Sequence, residues 1–181
     1  MSTTSGRTTD AGRLPQGDPR LLEDEVARAL LRSAIPARLA YAAADGTPRI
    51  VPTWFEWTGD EVVMPTYVSG PEAGIRHPAA RIAALRANPA VALTIDTDGH
   101  PPRALLVRGR ASIEIVDGVP EEFLQASVKS ESARGAEDFE AQVRELYDSM
   151  ARITVEPTWA RMNDFETTLP KDVERAIANR S

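Results

Sequence analysis

Residues 37–96 alternate short apolar runs with two-residue turns so closely that the strands they form have room to pair only as antiparallel neighbours. Residues 38–43, 50–57 and 62–65 are predicted strands, and the dipeptides Asp45-Gly46 and Gly59-Asp60 supply the tight turns between them. Residues 78–88 read as a short helix. Pro78 stands at its start, Ile82 and Leu85 are spaced to share one face, and Asn88-Pro89 stops it. Residues 90–96, AVALTID, form a nearly continuous apolar strand. A parallel crossover needs roughly a dozen residues or more, so a doubly wound sheet is disfavoured.

The flanking segments add a helix before this core and a mixed region after it. Asp18 can cap a helix whose first position suits Pro19, and Leu22, Val26, Ala29 and Leu30 fall on one face of it, ending near Ser33. That helix is expected to cover one end of the sheet. Residues 1–17 are rich in Ser, Thr, Gly and Arg without periodicity and are expected to be a disordered arm, which leaves residues 18–181 as a single domain. Asp98-Gly99-His100-Pro101-Pro102 reads as a loop, and residues 103–116 as a long strand kinked at Gly109. Residues 120–130 and 136–149 look helical, the second with Phe139, Val143, Leu146 and Tyr147 on its apolar face. Strands at 152–156 and 158–165 close the chain, with Pro157 marking a turn or an edge.

Composition excludes several functions. With 181 residues and 42% hydrophobic content the chain fills one core, and a net charge of -6 argues against a general nucleic-acid surface. There is no Cys, which removes disulfides, thiolate metal sites and a thiol nucleophile. His77 and His100 are the only histidines and have no companions at metal-ligand spacing, so no metal is expected. No apolar run reaches membrane-spanning length and the N-terminus lacks a signal-like apolar core, which makes a cytoplasmic protein with no membrane partner the simplest expectation. No nucleophile motif, dinucleotide fingerprint or phosphate loop is present, and no pair of carboxylates stands out for acid–base work, so the catalytic residue is unknown.

Arg81 is the sharpest chemical candidate. In the first turn of the predicted 78–88 helix, backbone N–H groups and the helix dipole already favour an anion, and a guanidinium there can grip a phosphate in bidentate fashion. A solvated arginine on an exposed helix face is the plainer reading. Thr66, Tyr67 and Ser69 follow the third strand, where their hydroxyls can donate to a ligand or simply decorate a strand end. Arg108 and Arg110 alternate around Gly109 and are explained as well by charge pairs as by ligand binding.

The segments ARLAYAAADGTPRIVPTWFEWTGDEVVMPT, ARIAALRANPAVALTID, LLVRGRASIEIVDG and RITVEPTWARMNDFETTLP, in this order and spacing, resemble the FMN-binding split β-barrel superfamily. These are the pyridoxamine 5'-phosphate oxidase-like proteins, including the flavin- and deazaflavin (F420)-dependent oxidoreductases. The resemblance implies a mainly β fold with peripheral helices, a split antiparallel β-barrel, working as a homodimer with cofactors between subunits. Trp54, Phe55 and Trp57 are more aromatic surface than one small barrel face would bury, in keeping with such an interface.

The implied activity is hydride transfer from FMN, or alternatively coenzyme F420, to a small organic substrate. A non-catalytic flavin or F420 carrier and a haem or tetrapyrrole binder with His77 as axial ligand are the alternatives. The implied cofactor residues are Arg81 on the phosphate; Val51, Pro52, Thr53 and Trp54 along the ring edge; Thr66, Tyr67 and Ser69 on the phosphate or ribityl chain; and Trp159 from the terminal segment. Trp54 is equally suited to interface packing and Trp159 to core packing. The helix departs from the family pattern by surrounding Arg81 with Ala79, Ala80, Ala83 and Ala84, so Arg76 and His77 in the preceding loop are candidates for further phosphate contacts.

Overall fold

Asp18 accepts a hydrogen bond from the Arg20 backbone N–H at 2.9 Å and, with Pro19 behind it, starts a 3-10 turn over Pro19–Glu23. In this computed structural model, which describes residues 14–70, 79–132 and 136–166 together with positions 173, 176 and 179, the expected single N-terminal helix is two pieces. Asp24 is the reason. It takes an extended conformation and caps a new helix, α1 (Glu25–Leu31), by accepting from the Val26 N–H at 2.9 Å. Leu21, Leu22, Ala27, Leu30 and Leu31 from the two pieces are buried in the main core. The last residues of the expected arm are also built into the fold: the Gly17 N–H donates to the Ala160 carbonyl at 2.8 Å, and the Gln16 side chain accepts from the Met162 N–H at 3.0 Å.

The strands are β1 (Ala37–Ala42), β2 (Pro48–Thr53), β3 (Glu56–Trp57), β4 (Val62–Ser69), β5 (Ala90–Asp96), β6 (Arg103–Asp117) and β7 (Ser149–Asp164). They form one antiparallel sheet in the order β2-β1-β5-β6-β7-β4-β3. The expected strand at 50–57 is therefore broken, with its first part at one end of the order and its last part at the other. Only Trp54 and Phe55 separate the two parts. Three Cα steps span at most about 11 Å, so the terminal strands are tethered close together and the sheet has to curl. The fold is a split antiparallel β-barrel, mainly β, with peripheral helices.

The kink expected at Gly109 corresponds to a shift in pairing register between Arg108 and Gly109, where steric crowding requires a glycine. A Cβ on Gly109 would lie 2.3 Å from the Glu156 carbonyl oxygen and 2.8 Å from Val155 Cγ1, closer than real atoms approach. Arg108 pairs with Trp159 and Gly109 with Pro157, leaving Thr158 as the extra residue of a bulge. Pro157 thus sits at the bulge of one continuous 16-residue strand and does not turn the chain between two strands.

Helix α2 (Ala79–Ala87) buries Ile82 and Leu85 against Leu39, Leu93, Ile95, Leu105 and Val107, as their helical spacing predicts. Between β6 and β7 the chain inserts α3 (Glu121–Ser127), a π-helical turn (Val128–Ser132) and α4 (Ala136–Leu146). This insertion has a core of its own, in which Val119, Leu124, Val143 and Met150 are buried with Phe123, Phe139 and Tyr147 packed around them. Phe55 is 4% exposed and belongs to the main core, so it is not part of any aromatic interface surface, whereas Trp54 is 43% exposed and Ile50 on the edge strand β2 is 67% exposed. Among the described residues no helix is long and apolar enough to cross a membrane.

Candidate functional site

Where the chain passes from β2 to β3, Pro52, Thr53 and Trp54 line a cleft of about 370 Å³. Pro65, Thr66 and Tyr67 of β4 form a second side, Arg81 of α2 closes one end, and Phe123 and Ala126 of α3 face in, with Pro36 beside β1. β2 is an edge strand with no fully buried residue, and the chain leaves it at Thr53 to cross toward β3.

Among the described residues Arg81 is held from one side only: its Nη2 donates to the Thr66 hydroxyl, and its buried Nε has no hydrogen-bond partner. Burial pushes the guanidinium pKa below the ordinary arginine value, opposed by the nearby Tyr41 on β1. A buried charged donor without an acceptor is costly, by more than the roughly 1–3 kcal/mol of a neutral group. The structure thus presents a partly buried cation whose Nε–H has no acceptor among the described residues and which a neutral hydroxyl orients, chemistry that suits an anion. Bidentate recognition of a phosphate or carboxylate through a guanidinium edge fits these donors.

The other expected residues divide clearly. Pro52, Thr53, Trp54, Thr66, Tyr67 and Arg81 come together at the cleft. Thr53 has already committed its proton, since its hydroxyl donates to the Trp54 carbonyl at 3.2 Å, and it faces the cleft as an acceptor. Thr66, Tyr67 and Ser69 are strand residues, because β4 runs four residues beyond the expected end at Pro65. Val51 is not among the cleft-lining residues; it packs against the main core. Ser69 shares a 2.7 Å hydrogen bond with the Ser149 hydroxyl at the far end of the β4–β7 ladder. Trp159 lies under the Arg108 guanidinium, 4.2 Å from ring centroid to Cζ, with Gly17 against its indole edge, and does not line the cleft. Arg76 and His77 lie outside the described residues.

Pro36, Pro65, Phe123 and Ala126 were not singled out from the sequence. Phe123 and Ala126 carried a signal only as part of a predicted amphipathic helix. Which face of that helix meets the barrel depends on the insertion's own core, and periodicity does not encode that. Among the described residues no group of three or more His, Cys, Asp or Glu side chains is placed to hold a metal ion.

The family model for pyridoxamine 5'-phosphate oxidase matches residues 23–162. The chain belongs to the pyridoxamine 5'-phosphate oxidase family. Among solved structures it is similar to an F420 reductase, with 25% identity, 74% of this chain and 94% of that one covered, and a TM-score of 0.55. It is also similar to a conserved hypothetical protein from Mycobacterium tuberculosis, at 16% identity over 86% of this chain and 94% of that one, with a TM-score of 0.56. A third match is a protein related to general stress protein 26, of the pyridoxinephosphate oxidase family, from Clostridium acetobutylicum, at 16% identity over 81% and 89% of the two chains and a TM-score of 0.51. The last two similarities bear on fold alone. No curated protein matches the chain by sequence. Membership of this pyridoxamine 5'-phosphate oxidase family supports a general flavin-binding or oxidoreductase role and leaves substrate and mechanism to the site itself.

Proposed function

We propose that the cleft binds a phosphate-bearing flavin, FMN or the deazaflavin coenzyme F420, and that the protein is an oxidoreductase delivering hydride to a small organic substrate. The observation that carries this reading is the buried Nε of Arg81, which has no partner among the described residues, beside the Thr66 hydroxyl. In this reading Arg81 takes the phosphate, Thr66 orients the guanidinium, and the hydroxyls of Thr53 and Tyr67 meet the polar parts of the cofactor. Such a cofactor supplies the hydride chemistry when bound, and the protein contributes position and exclusion of water. Pro36, Pro52, Pro65, Trp54 and Phe123 do the latter by walling the cleft with apolar surface. The similarity to an F420 reductase at 25% identity supports including the deazaflavin.

A homodimer completes the proposal. Ile50 and Trp54 are large apolar side chains exposed on and just beyond the edge strand β2, and Trp54 also lines the cleft. A second copy covering them would shield apolar surface and the cleft together. The cofactor reading is tested by titrating FMN and F420 into the protein and into Arg81→Gln, following cofactor fluorescence. Binding of at least one cofactor that weakens in the variant is the expected result, and binding of neither removes the reading.

A further inference from the structure

Helix α3 serves two cavities with two different faces. Phe123 and Ala126 line the cleft, whereas Glu121, Leu124 and, just past the helix end, Val128 are spaced i, i+3 and i+7 and line a second cavity of about 430 Å³. Glu56 on β3, Lys129 in the π-helical turn, and Phe139 and Glu140 on α4 also border it. Among the described residues the two cavities share no lining residue. A space of this volume is in the size range of small-molecule sites.

Its surface is apolar between carboxylates. Leu124, 7% exposed, packs with Phe139 in the insertion's own core, while Val128 is 52% exposed. Three glutamates border this surface against one lysine, and that lysine is already engaged: Lys129 Nζ stands 2.5 Å from Glu56 Oε2, with both atoms buried. Glu140 pairs with Arg144 at 2.7 Å, but on an exposed helix face, where such a pair contributes little and is screened. Glu121 has no ionic partner among the described residues. The balance facing the cavity is therefore negative, on a chain whose net charge is -6.

We infer that this second cavity binds a small organic cation, an ammonium group carried on an apolar or aromatic body. Glu121 and Glu140 receive the ammonium through charge-assisted hydrogen bonds, and Leu124, Val128 and Phe139 cover the body. A bare metal ion does not suit the site, because among the described residues no three carboxylates are placed to hold one. An anion does not suit it either, since the only lysine lining the cavity is paired with Glu56. The site stands apart from Arg81 and from whatever the cleft holds.

Three probes that share a phenyl ring on a two-carbon chain and differ in charge test this: 2-phenylethylammonium, neutral 2-phenylethanol and anionic 3-phenylpropanoate. Each is titrated into the full chain, without any flavin, and followed by ligand-observed NMR. The wild-type protein is expected to bind the cation about tenfold or more tightly than the alcohol, the scale of a charge-assisted hydrogen bond, and the anion most weakly. Glu121→Gln combined with Glu140→Gln should weaken the cation by about tenfold and leave the alcohol unchanged. Val128→Lys, which adds a positive charge at an exposed position lining the cavity, should weaken the cation by about threefold or more. All three positions are exposed, so melting temperatures should stay near that of the wild type. Arg81→Gln should bind the cation as the wild type does. Equal binding of cation and alcohol, no binding of the cation, or undiminished binding in the double glutamine variant overturns the inference. So does cation binding that responds to Arg81→Gln and not to the glutamine substitutions on α3 and α4, since it would place the probe in the cleft.

Discussion

The Thr66 hydroxyl on β4 accepts a hydrogen bond from Arg81 on α2. That bond satisfies one nitrogen of a largely buried guanidinium and leaves Nε with no acceptor among the described residues. Orientation by a neutral partner is significant here. A carboxylate in place of Thr66 would neutralise the guanidinium and compete with an incoming anion, whereas a hydroxyl fixes its direction and leaves its charge available.

Replacing Arg81 by Gln should therefore weaken FMN or F420 binding by about 1.5–3 kcal/mol, the range for a hydrogen bond to a charged group. The fold should survive, since among the described residues the desolvated charge that Gln removes makes only the hydrogen bond to the neutral Thr66 hydroxyl. Fluorescence titration and a thermal melt check the two halves. Equal affinity in wild type and variant would take Arg81 out of the site.

Gly109→Ala should destabilise the protein by about 2–3 kcal/mol, because the new methyl would meet backbone and no flexible side chain can move aside for it. Urea denaturation measures this. A change below about 0.5 kcal/mol, the ordinary scatter of surface substitutions, would show that the bulge relaxes at little cost.

The irregularity at Gly109 and the Ala90–Asp96 strand were both legible in the sequence, because each is set by local chemistry: a missing Cβ in one case and an uninterrupted apolar run ending at turn residues in the other. Arg81 was legible for a related reason, since a helix start advertises its own donors. The division of 50–57 into β2 and β3 was not legible. Its residues all favour extended structure, and only closure of the barrel decides that Thr53 ends one strand while Glu56 begins another at the opposite end of the sheet. Phe55 was misplaced on a surface for the same reason: the crossing at Trp54 and Phe55 turns one ring outward and the other into the core. Trp159 was placed by resemblance, and within the chain its stacking with Arg108 and contact with Gly17 account for its position.

Acid should loosen α3 before it unfolds the barrel. Burial pushes the Glu122 carboxyl up, but its hydrogen bonds from Arg152 and a backbone N–H, with the Arg152 charge, hold it below the ordinary glutamate value on balance. A carboxylate depressed in the folded state contributes stability that is fully present above its unfolded value, about 4.3, and is lost as the pH falls through the lower folded value. The contribution is no more than about 1 kcal/mol after solvent screening. Near-ultraviolet circular dichroism, reporting Phe123 and Tyr147, should change as the pH falls below about 4.3 in wild type and lose most of that dependence in Glu122→Gln. Identical profiles would detach the pair from the behaviour of α3.

Sedimentation at micromolar concentration should show a homodimer, and Ile50→Asp together with Trp54→Ala should shift it toward monomer, since both side chains are exposed apolar groups at the sheet edge. Only monomer in the wild type would end the dimer proposal. A dimer unaffected by the double variant would move the interface elsewhere.

Turnover is the last thing to be decided, and the lining of the cleft sharpens the choice. Its residues offer hydroxyls, one guanidinium and apolar walls, which suffice to position a hydride donor and acceptor but assign no proton to a particular side chain. Hydride delivery needs placement of the two reactants at contact distance, and the protein's contribution would then be orientation within a space that α3 bounds. An oxidoreductase built this way should accelerate oxidation of its reduced cofactor only when a flat, unsaturated acceptor is present, and Phe123→Ala should alter which acceptors succeed more than it alters cofactor affinity. A carrier would bind both redox states and change no rate. Stopped-flow mixing of reduced FMN or F420 with the protein and a panel of quinones and enones separates the two. Acceptor-dependent acceleration in wild type establishes the enzyme; its absence across the panel, with cofactor bound, establishes the carrier.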